Sequence, residues 1–116
     1  MEFSVPDAGR LPDMDSYETA TEHVVELSVP GLRSKDMDIT VDGSSLTVKV
    51  NFPAKQAEAN YLRQERLHGL YARSIPIPDQ SEYGPAKAAY LNGVLTITFP
   101  KLDKPVNRLG PLLGGI

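Results

Sequence analysis

Residues 88–101, which read AAYLNGVLTITFPK, decide the fold of this chain. Over residues 94–99 a large apolar side chain occupies every second position and a threonine lies between each pair, which is typical of a strand with one buried face. Asn92-Gly93 precedes this strand and favours a tight turn, and Pro100 follows it. Residues 86–90, before the turn, predict a weaker strand. The stretch therefore predicts strand, turn and strand.

A second hairpin is predicted upstream. Apolar and polar residues alternate over residues 37–41 and again over 46–50, and Asp42-Gly43 lies between them. Alternation on both sides of an Asp-Gly pair is a strong short-range signal for a hairpin. Further strands are predicted at residues 14–19, 23–29, 61–65 and 70–77. About seven or eight short strands with almost no helix indicate an antiparallel β-sandwich.

The composition excludes several classes of protein. The chain has 116 residues, enough for one domain, and no cysteine, so disulfides and thiolate chemistry are absent. No apolar run approaches the roughly 20 residues of a membrane helix. The formal net charge is −3 without a basic stripe, which argues against nucleic-acid binding. Since no secretion signal opens the sequence, we expect a cytoplasmic protein.

Motifs for catalysis are missing from the sequence. No phosphate-binding loop, dinucleotide fingerprint, nucleophile elbow or zinc-protease motif is present. His23 and His68 are 45 residues apart, and the surface-histidine interpretation is favoured over a metal site that would use both. Asp36 and Asp38 would share one face of a strand, and a solvated sheet face is favoured over acid catalysis as their explanation. We therefore predict a protein that is not an enzyme and holds no cofactor or metal.

The carboxyl-terminal segment favours binding to other proteins. Within residues 101–116, a segment without strand or helix periodicity, positions 109–116 contain four large apolar side chains. They are Leu109, Leu112, Leu113 and Ile116. The edges of a sandwich can also accept an added strand.

Three stretches of the sequence resemble a known protein family. Residues 88–101 resemble the A-x-x-x-N-G-V-L…P-K signature of the α-crystallin domain, the core of the small heat-shock proteins. Residues 24–31, VVELSVPG, resemble the family's strand that ends in P-G. Residues 65–73, ERLHGLYAR, followed by Ile77-Pro78, resemble its E-R-x-x-G-x-F-x-R…L-P block. Co-chaperones of the p23 type share the sandwich but lack the N-G-V-L turn.

The resemblance implies an immunoglobulin-like β-sandwich over residues 14–101. Residues 1–13 would form a short irregular amino-terminal arm, and residues 102–116 a flexible carboxyl-terminal extension. The implied function is that of an ATP-independent holdase, which binds partly unfolded client proteins and suppresses their aggregation. The alternative is a structural or adaptor module that uses the same sandwich to bind one specific partner.

The resemblance also implies a homodimer, and larger homo-oligomers built from it. In bacterial and plant members the loop that matches residues 51–69 carries a short strand across to the partner subunit. That strand corresponds here to residues 61–65, and the implied interface residues are Tyr61, Leu62, Arg63 and Glu65. Arg73 matches the family's arginine near the dimer interface; the alternative is an arginine that faces solvent.

A groove for a tail segment is the last feature that the resemblance implies. In the family it lies between the strands that match residues 37–41 and 86–90. Ile39, Val41 and Ala88 are predicted to line it, and the alternative is that they belong to the ordinary core. The family's tail motif, I-x-I or I-x-V, is absent from residues 101–116. The four apolar tail residues are therefore assigned its docking role.

Overall fold

The structure, a computed structural model, describes residues 11–102. Seven strands and one short 3-10 turn make up its regular elements. They are β1 (Met14–Glu18), β2 (Glu22–Ser28), the 3-10 turn (Ser34–Asp36), β3 (Met37–Asp42), β4 (Ser45–Phe52), β5 (Gly69–Pro76), β6 (Lys87–Leu91) and β7 (Val94–Pro100). In residues 11–102 no helix is long and apolar enough to cross a membrane.

The strands form two antiparallel sheets. One sheet has four strands in the order β1-β2-β7-β6, and the other has three in the order β3-β4-β5. Every strand pair is antiparallel. The predicted all-β, antiparallel β-sandwich is therefore confirmed, with seven strands among the described residues. Edge position also explains why β5 tolerates Pro76, because a proline cannot donate a ladder hydrogen bond.

The core lies between the inner faces of the two sheets. Alternate residues of the central strands are buried, as the period-2 pattern predicts. In the four-stranded sheet Leu27 lies opposite Leu95 and Val25 lies opposite Ile97. From the other sheet, β4 contributes Leu46, Val48, Val50 and Phe52. Because such side chains are fully removed from water, truncating one of them to alanine costs about 2–5 kcal/mol.

The turn between β6 and β7 is tight and left-handed. Asn92 has φ 53° and Gly93 has φ 80°, the conformation in which an Asn-Gly pair matches the twist of two antiparallel strands. The carbonyl of Gly93 accepts a hydrogen bond from the amide of Val29 at 2.8 Å. This turn thus also fixes the chain that leaves β2.

Two local predictions do not match the single chain. Residues 61–65 form no strand within the single chain; they lie in a long loop, residues 53–68, that joins β4 to β5. Among residues 11–102 that segment finds no neighbouring strand to hydrogen-bond with. Asp36 is not on a strand with Asp38, because it closes the 3-10 turn and its carboxylate accepts a hydrogen bond from the amide of Arg33 at 2.9 Å.

The two open sides of the sandwich differ. On one side the chain before β1 fills the gap, since Pro12 is fully buried and its carbonyl accepts a hydrogen bond from Arg73 of β5. On the other side β3 and β6, the edge strands of the two sheets, face each other without hydrogen bonds between them. That second side is where the sandwich leaves an accessible cavity.

Candidate functional site

A groove of about 320 Å³ lies between the edge strands β3 and β6. Ile39 forms one wall, Ala88 and Tyr90 form the other, and the buried Leu95 lies at the floor. Both walls expose strand edges that pair with no described strand. An extended peptide placed here would find backbone donors and acceptors along its sides and apolar surface beneath it.

A second, larger cavity of about 530 Å³ lies near the end of the same side of the sandwich. Val41 of β3 and Ala86, just before β6, belong to its rim, and Phe99 and Leu46 are buried residues of its lining. Val41 is 67% exposed although it lies on the inner face of its strand. Its exposure follows from the open edge, where no strand covers it.

The shape of the groove depends on small and on anchored side chains. Alanine at position 88 leaves room above Leu95, where a larger residue would fill the space. Tyr90 is held from behind, because its hydroxyl donates to the carbonyl of Val29 at 2.8 Å and accepts from the amide of Leu32 at 3.3 Å. The aromatic wall of the groove is therefore fixed to the loop that follows β2.

The larger cavity is framed by a polar cluster at the end of β1. Tyr83, a cavity residue, donates a hydrogen bond to the Glu18 carboxylate at 2.6 Å. Lys101 lies 3.5 Å from the same carboxylate and donates to the carbonyl of Thr19 at 2.8 Å. The imidazole of His23 lies 3.6 Å from Glu18 and packs edge-on against Tyr83. These contacts join the loop before β6 to the end of β1, the opposite edge strand of the same four-stranded sheet.

Hydrogen bonding in this cluster shifts two pKa values in opposite directions. The bond from Tyr83 lowers the pKa of the Glu18 carboxyl, and the nearby Lys101 charge adds to the effect while desolvation opposes it. The same bond raises the pKa of the Tyr83 phenol, since ionising it would place two negative charges side by side. Over the pH range between these two ionisations the bond joins a neutral phenol to a carboxylate.

The predicted groove residues fall into two neighbouring sites. Ile39 and Ala88 are brought together in the 320 Å³ groove, and Val41 lies in the 530 Å³ cavity beside it. Val41 and Ala88 are exposed and Ile39 is half-buried. The alternative, that all three belong to the closed core, does not hold for the two exposed residues.

The predicted interface residues occupy the loop between β4 and β5. Tyr61, Leu62, Arg63 and Glu65 are all exposed, and Leu62 is the most exposed of the large apolar residues, at 96%. Arg63 and Glu65 form an exposed ion pair at 3.2 Å. Arg73 lies apart from them on the inner face of β5, where it is half-buried. The predicted docking residues Leu109, Leu112, Leu113 and Ile116 lie outside the described residues.

Several residues of the site carry no local signal in the sequence. Glu18 and Tyr83 are 65 residues apart and meet only because the loop before β6 passes the end of β1. Tyr90 could have been found from its spacing, since it shares a face with Ala88 on a short strand. In residues 11–102 no group of three or more metal-binding side chains comes together.

Comparison with known proteins identifies the family to which this fold and groove belong. The family model described as the Hsp20/alpha crystallin family matches residues 15–109. The chain belongs to the Hsp20/alpha crystallin family. The match covers both sheets, the groove and the long loop, so the resemblance carried by residues 24–31, 65–73 and 88–101 is confirmed.

Individual relatives agree with the family model. Small heat shock protein C2 of Rickettsia felis is 35% identical over 100 residues, which cover 84% of this chain and 65% of that protein. The peroxisomal 16.0 kDa heat shock protein of Oryza sativa is 36% identical over 79% of this chain and 69% of its own length. The chain thus spans less than two thirds of the Rickettsia relative.

A solved structure of the family has the same fold. Heat shock protein 16.0 from Schizosaccharomyces pombe aligns with a TM-score of 0.67 and 29% identity, over 80% of this chain and 75% of that one. The sandwich of this Hsp20 chain is therefore that of an α-crystallin domain.

Proposed function

We propose that this Hsp20 chain is an ATP-independent holdase that binds partly unfolded proteins and suppresses their aggregation. The observation that carries the proposal is the apolar groove between the unpaired edges of β3 and β6. Unfolding clients expose apolar side chains and unpaired strands, which are the two features that such a groove accommodates. The relatives that are named heat shock proteins support the same function. Binding of this kind needs no catalytic group and no cofactor.

The experiment is aggregation suppression with several unrelated client proteins, heated without ATP. A holdase should lower the light scattering of every client protein when a few chains are present per client molecule. An adaptor module, the alternative, would protect at most one. Protection of none of the clients would refute the holdase function.

Matched variants connect the activity to the groove. Ala88→Trp would fill the space above Leu95, whereas Lys87→Trp adds the same side chain to the opposite face of β6. We expect Ala88→Trp to reduce suppression several-fold and Lys87→Trp to keep it. Equal activity of the two variants would place client binding elsewhere on the molecule.

The groove also suits a tail from another copy of the chain. Residues 101–116 contain the apolar side chains Leu109, Leu112, Leu113 and Ile116, and an irregular apolar segment can dock between two open edges. A labelled peptide of residues 101–116 should bind the chain in fluorescence anisotropy. It should bind the Ala88→Trp variant at least tenfold more weakly, because the groove is then filled.

Dimerisation through the long loop is part of the same proposal. Residues 61–65 of one copy would pair with the free edge of β1 of its partner. An exposed apolar side chain at Leu62 and an unpaired edge of β1 support this pairing. In that assembly Arg73 would lie near the interface while it keeps its hydrogen bond to the Pro12 carbonyl within the chain.

A cytoplasmic location completes the proposal. A chain without cysteine is compatible with a reducing compartment such as the cytoplasm. The Oryza relative is named peroxisomal, which makes the peroxisome the compartment to compare. Immunolocalisation of the tagged full-length protein distinguishes the two compartments.

A further inference from the structure

The long loop is closed at its neck by side chains of its own. Phe52 and Gly69 are paired across β4 and β5, so residues 53–68 leave and re-enter the domain at one point. There the Nδ1 atom of His68 lies 2.9 Å from the carbonyl oxygen of Pro53. A carbonyl only accepts, so His68 must carry its hydrogen on Nδ1 and donate it. This hydrogen bond joins the first residue of the loop to the last.

Tyr61 extends the closure into the loop. Its ring packs edge-on against the ring of His68, with centroids 6.1 Å apart. Its hydroxyl accepts a hydrogen bond from the amide of Gln56 at 2.8 Å. We call the four residues Pro53, Gln56, Tyr61 and His68 the neck clasp. Through these contacts Tyr61 is held over the base of the loop, although residues 62–66 are exposed.

The clasp divides the loop into a fixed and a projecting part. Tyr61, where the segment 61–65 begins, is tied to the domain. Leu62 follows it and is almost wholly exposed. A loop of this length without internal contacts would sample many directions, and ordering it on association costs free energy for each residue that becomes fixed. A loop whose base is already ordered loses less.

We propose that His68 is the positioning residue of the dimer: through the neck clasp it orders the base of the loop so that residues 61–65 leave the domain in the direction that a partner subunit can accept. The inference rests on the proposed loop-mediated dimer and assigns the ordering of the loop to one side chain. His68 does not itself contact the partner; it acts through Tyr61.

The test measures the dimer dissociation constant of the full chain by sedimentation and its monomer melting temperature at high dilution. We expect His68→Ala to raise the dissociation constant about five- to tenfold, the effect of losing one hydrogen bond and its ordering. The monomer melting temperature should fall only slightly, because the clasp lies outside the core and the change removes one exposed hydrogen bond. An unchanged or lower dissociation constant would overturn the inference.

Conservative replacement identifies the interaction that matters. The side-chain amide of Asn can donate to the Pro53 carbonyl much as Nδ1 does, so His68→Asn should recover most of the lost affinity. His68→Phe keeps an aromatic ring against Tyr61 but donates nothing, and it should remain weak. The same affinity in His68→Asn and His68→Ala would refute the hydrogen bond to Pro53 as the cause.

Two control variants separate this inference from the dimer on which it rests. Glu58→Ala changes an exposed loop residue outside the clasp and outside residues 61–65, and it should leave the dissociation constant unchanged. Leu62→Ala should weaken the dimer by itself. If Leu62→Ala weakens the dimer and His68→Ala does not, only the clasp is wrong. If neither variant affects the dimer, the loop-mediated dimer is wrong.

Discussion

Arg73 is a cation on the inner face of a sandwich. It alternates with the buried residues Tyr71 and Ile75, and on the neighbouring strand it lies opposite Val48. A charge in such surroundings must be hydrogen-bonded, because desolvating it without a partner is costly. The carbonyl of the buried Pro12 accepts its hydrogen bond at 3.0 Å. Arg73 therefore holds the chain before β1 against the edge of β5.

Replacing Arg73 should destabilise the domain. We expect Arg73→Ala to cost about 1–3 kcal/mol, because the carbonyl of Pro12 is left buried without its donor. The measurement is the free energy of unfolding by urea. The matched control is Arg63→Ala, which removes an exposed ion pair with Glu65 and should change stability by less than about 1 kcal/mol. Equal losses for the two arginines would contradict the role of Arg73.

The hydrogen bond from Tyr83 to Glu18 should depend on pH in a defined way. The folded pKa of Glu18 is lowered from 4.5, so its contribution is present above pH 4.5 and is lost as pH falls through the lowered value. The folded pKa of Tyr83 is raised from 10.0, so its contribution is present below pH 10.0 and is lost as pH rises through the raised value.

The measurement is the difference in melting temperature between the original chain and Tyr83→Phe. This difference should be largest between pH 4.5 and 10.0 and should shrink on both sides. Tyr61→Phe is the control, because the hydroxyl of Tyr61 contacts the backbone amide of Gln56 and no carboxylate. A pH-independent difference for Tyr83→Phe would show that the bond to Glu18 does not contribute.

At the scale of elements, the turn between β6 and β7 couples the groove to the loop after β2. Gly93 adopts φ 80°, and a Cβ atom there would come within 3.2 Å of Pro30. Gly43, in the turn between β3 and β4, has φ 64° but open space where its Cβ would lie. The two glycines share a left-handed backbone and differ in their surroundings.

This difference predicts unequal effects of the same substitution. Gly43→Ala should cost about 1 kcal/mol, the strain of a left-handed conformation in a residue with a Cβ atom. Gly93→Ala should cost about 1–2 kcal/mol more, since Pro30 must also shift. Thermal or urea unfolding of both variants measures the difference. If Gly43→Ala is the more destabilising of the two variants, the close approach to Pro30 does not add to the free-energy cost of Gly93→Ala.

At the scale of the whole molecule, one side of the sandwich is closed and the other open. Pro12 and Arg73 close the side of β1 and β5, and the groove and the larger cavity occupy the side of β3 and β6. The long loop projects separately. The open groove and the projecting loop are therefore the two surfaces through which the proposed assembly would form.

The mass of the assembly tests this arrangement. In light scattering over a dilution series, the full chain should have a mass that is an even multiple of 12.7 kDa, because the proposed loop-mediated dimer would be the repeating unit. If tails join dimers, removing residues 103–116 should reduce larger species to twice the mass of the shortened, 102-residue chain. A monomer at micromolar concentration would contradict the dimer.

The sequence by itself determined the sandwich and most strand positions. Apolar alternation over residues 37–41, 46–50 and 94–99 is a local property, since a strand with one buried face must alternate wherever it lies. Residues 61–65 form no strand in the single chain, because a strand exists only where another strand pairs with it and residues 11–102 place none beside this segment. The Asn92-Gly93 turn was equally readable, because φ preferences belong to single residues.

Only the tertiary structure decided which edges remain open and which side chains meet. Ile39 and Ala88 share a groove because the two sheets place β3 and β6 at the same side. Glu18 and Tyr83 meet across 65 residues, and His68 closes the loop on Pro53 across 15. Such contacts depend on how the sheets stack and where the chain returns. Local periodicity carries no information about either, because it specifies only which face of each strand is buried.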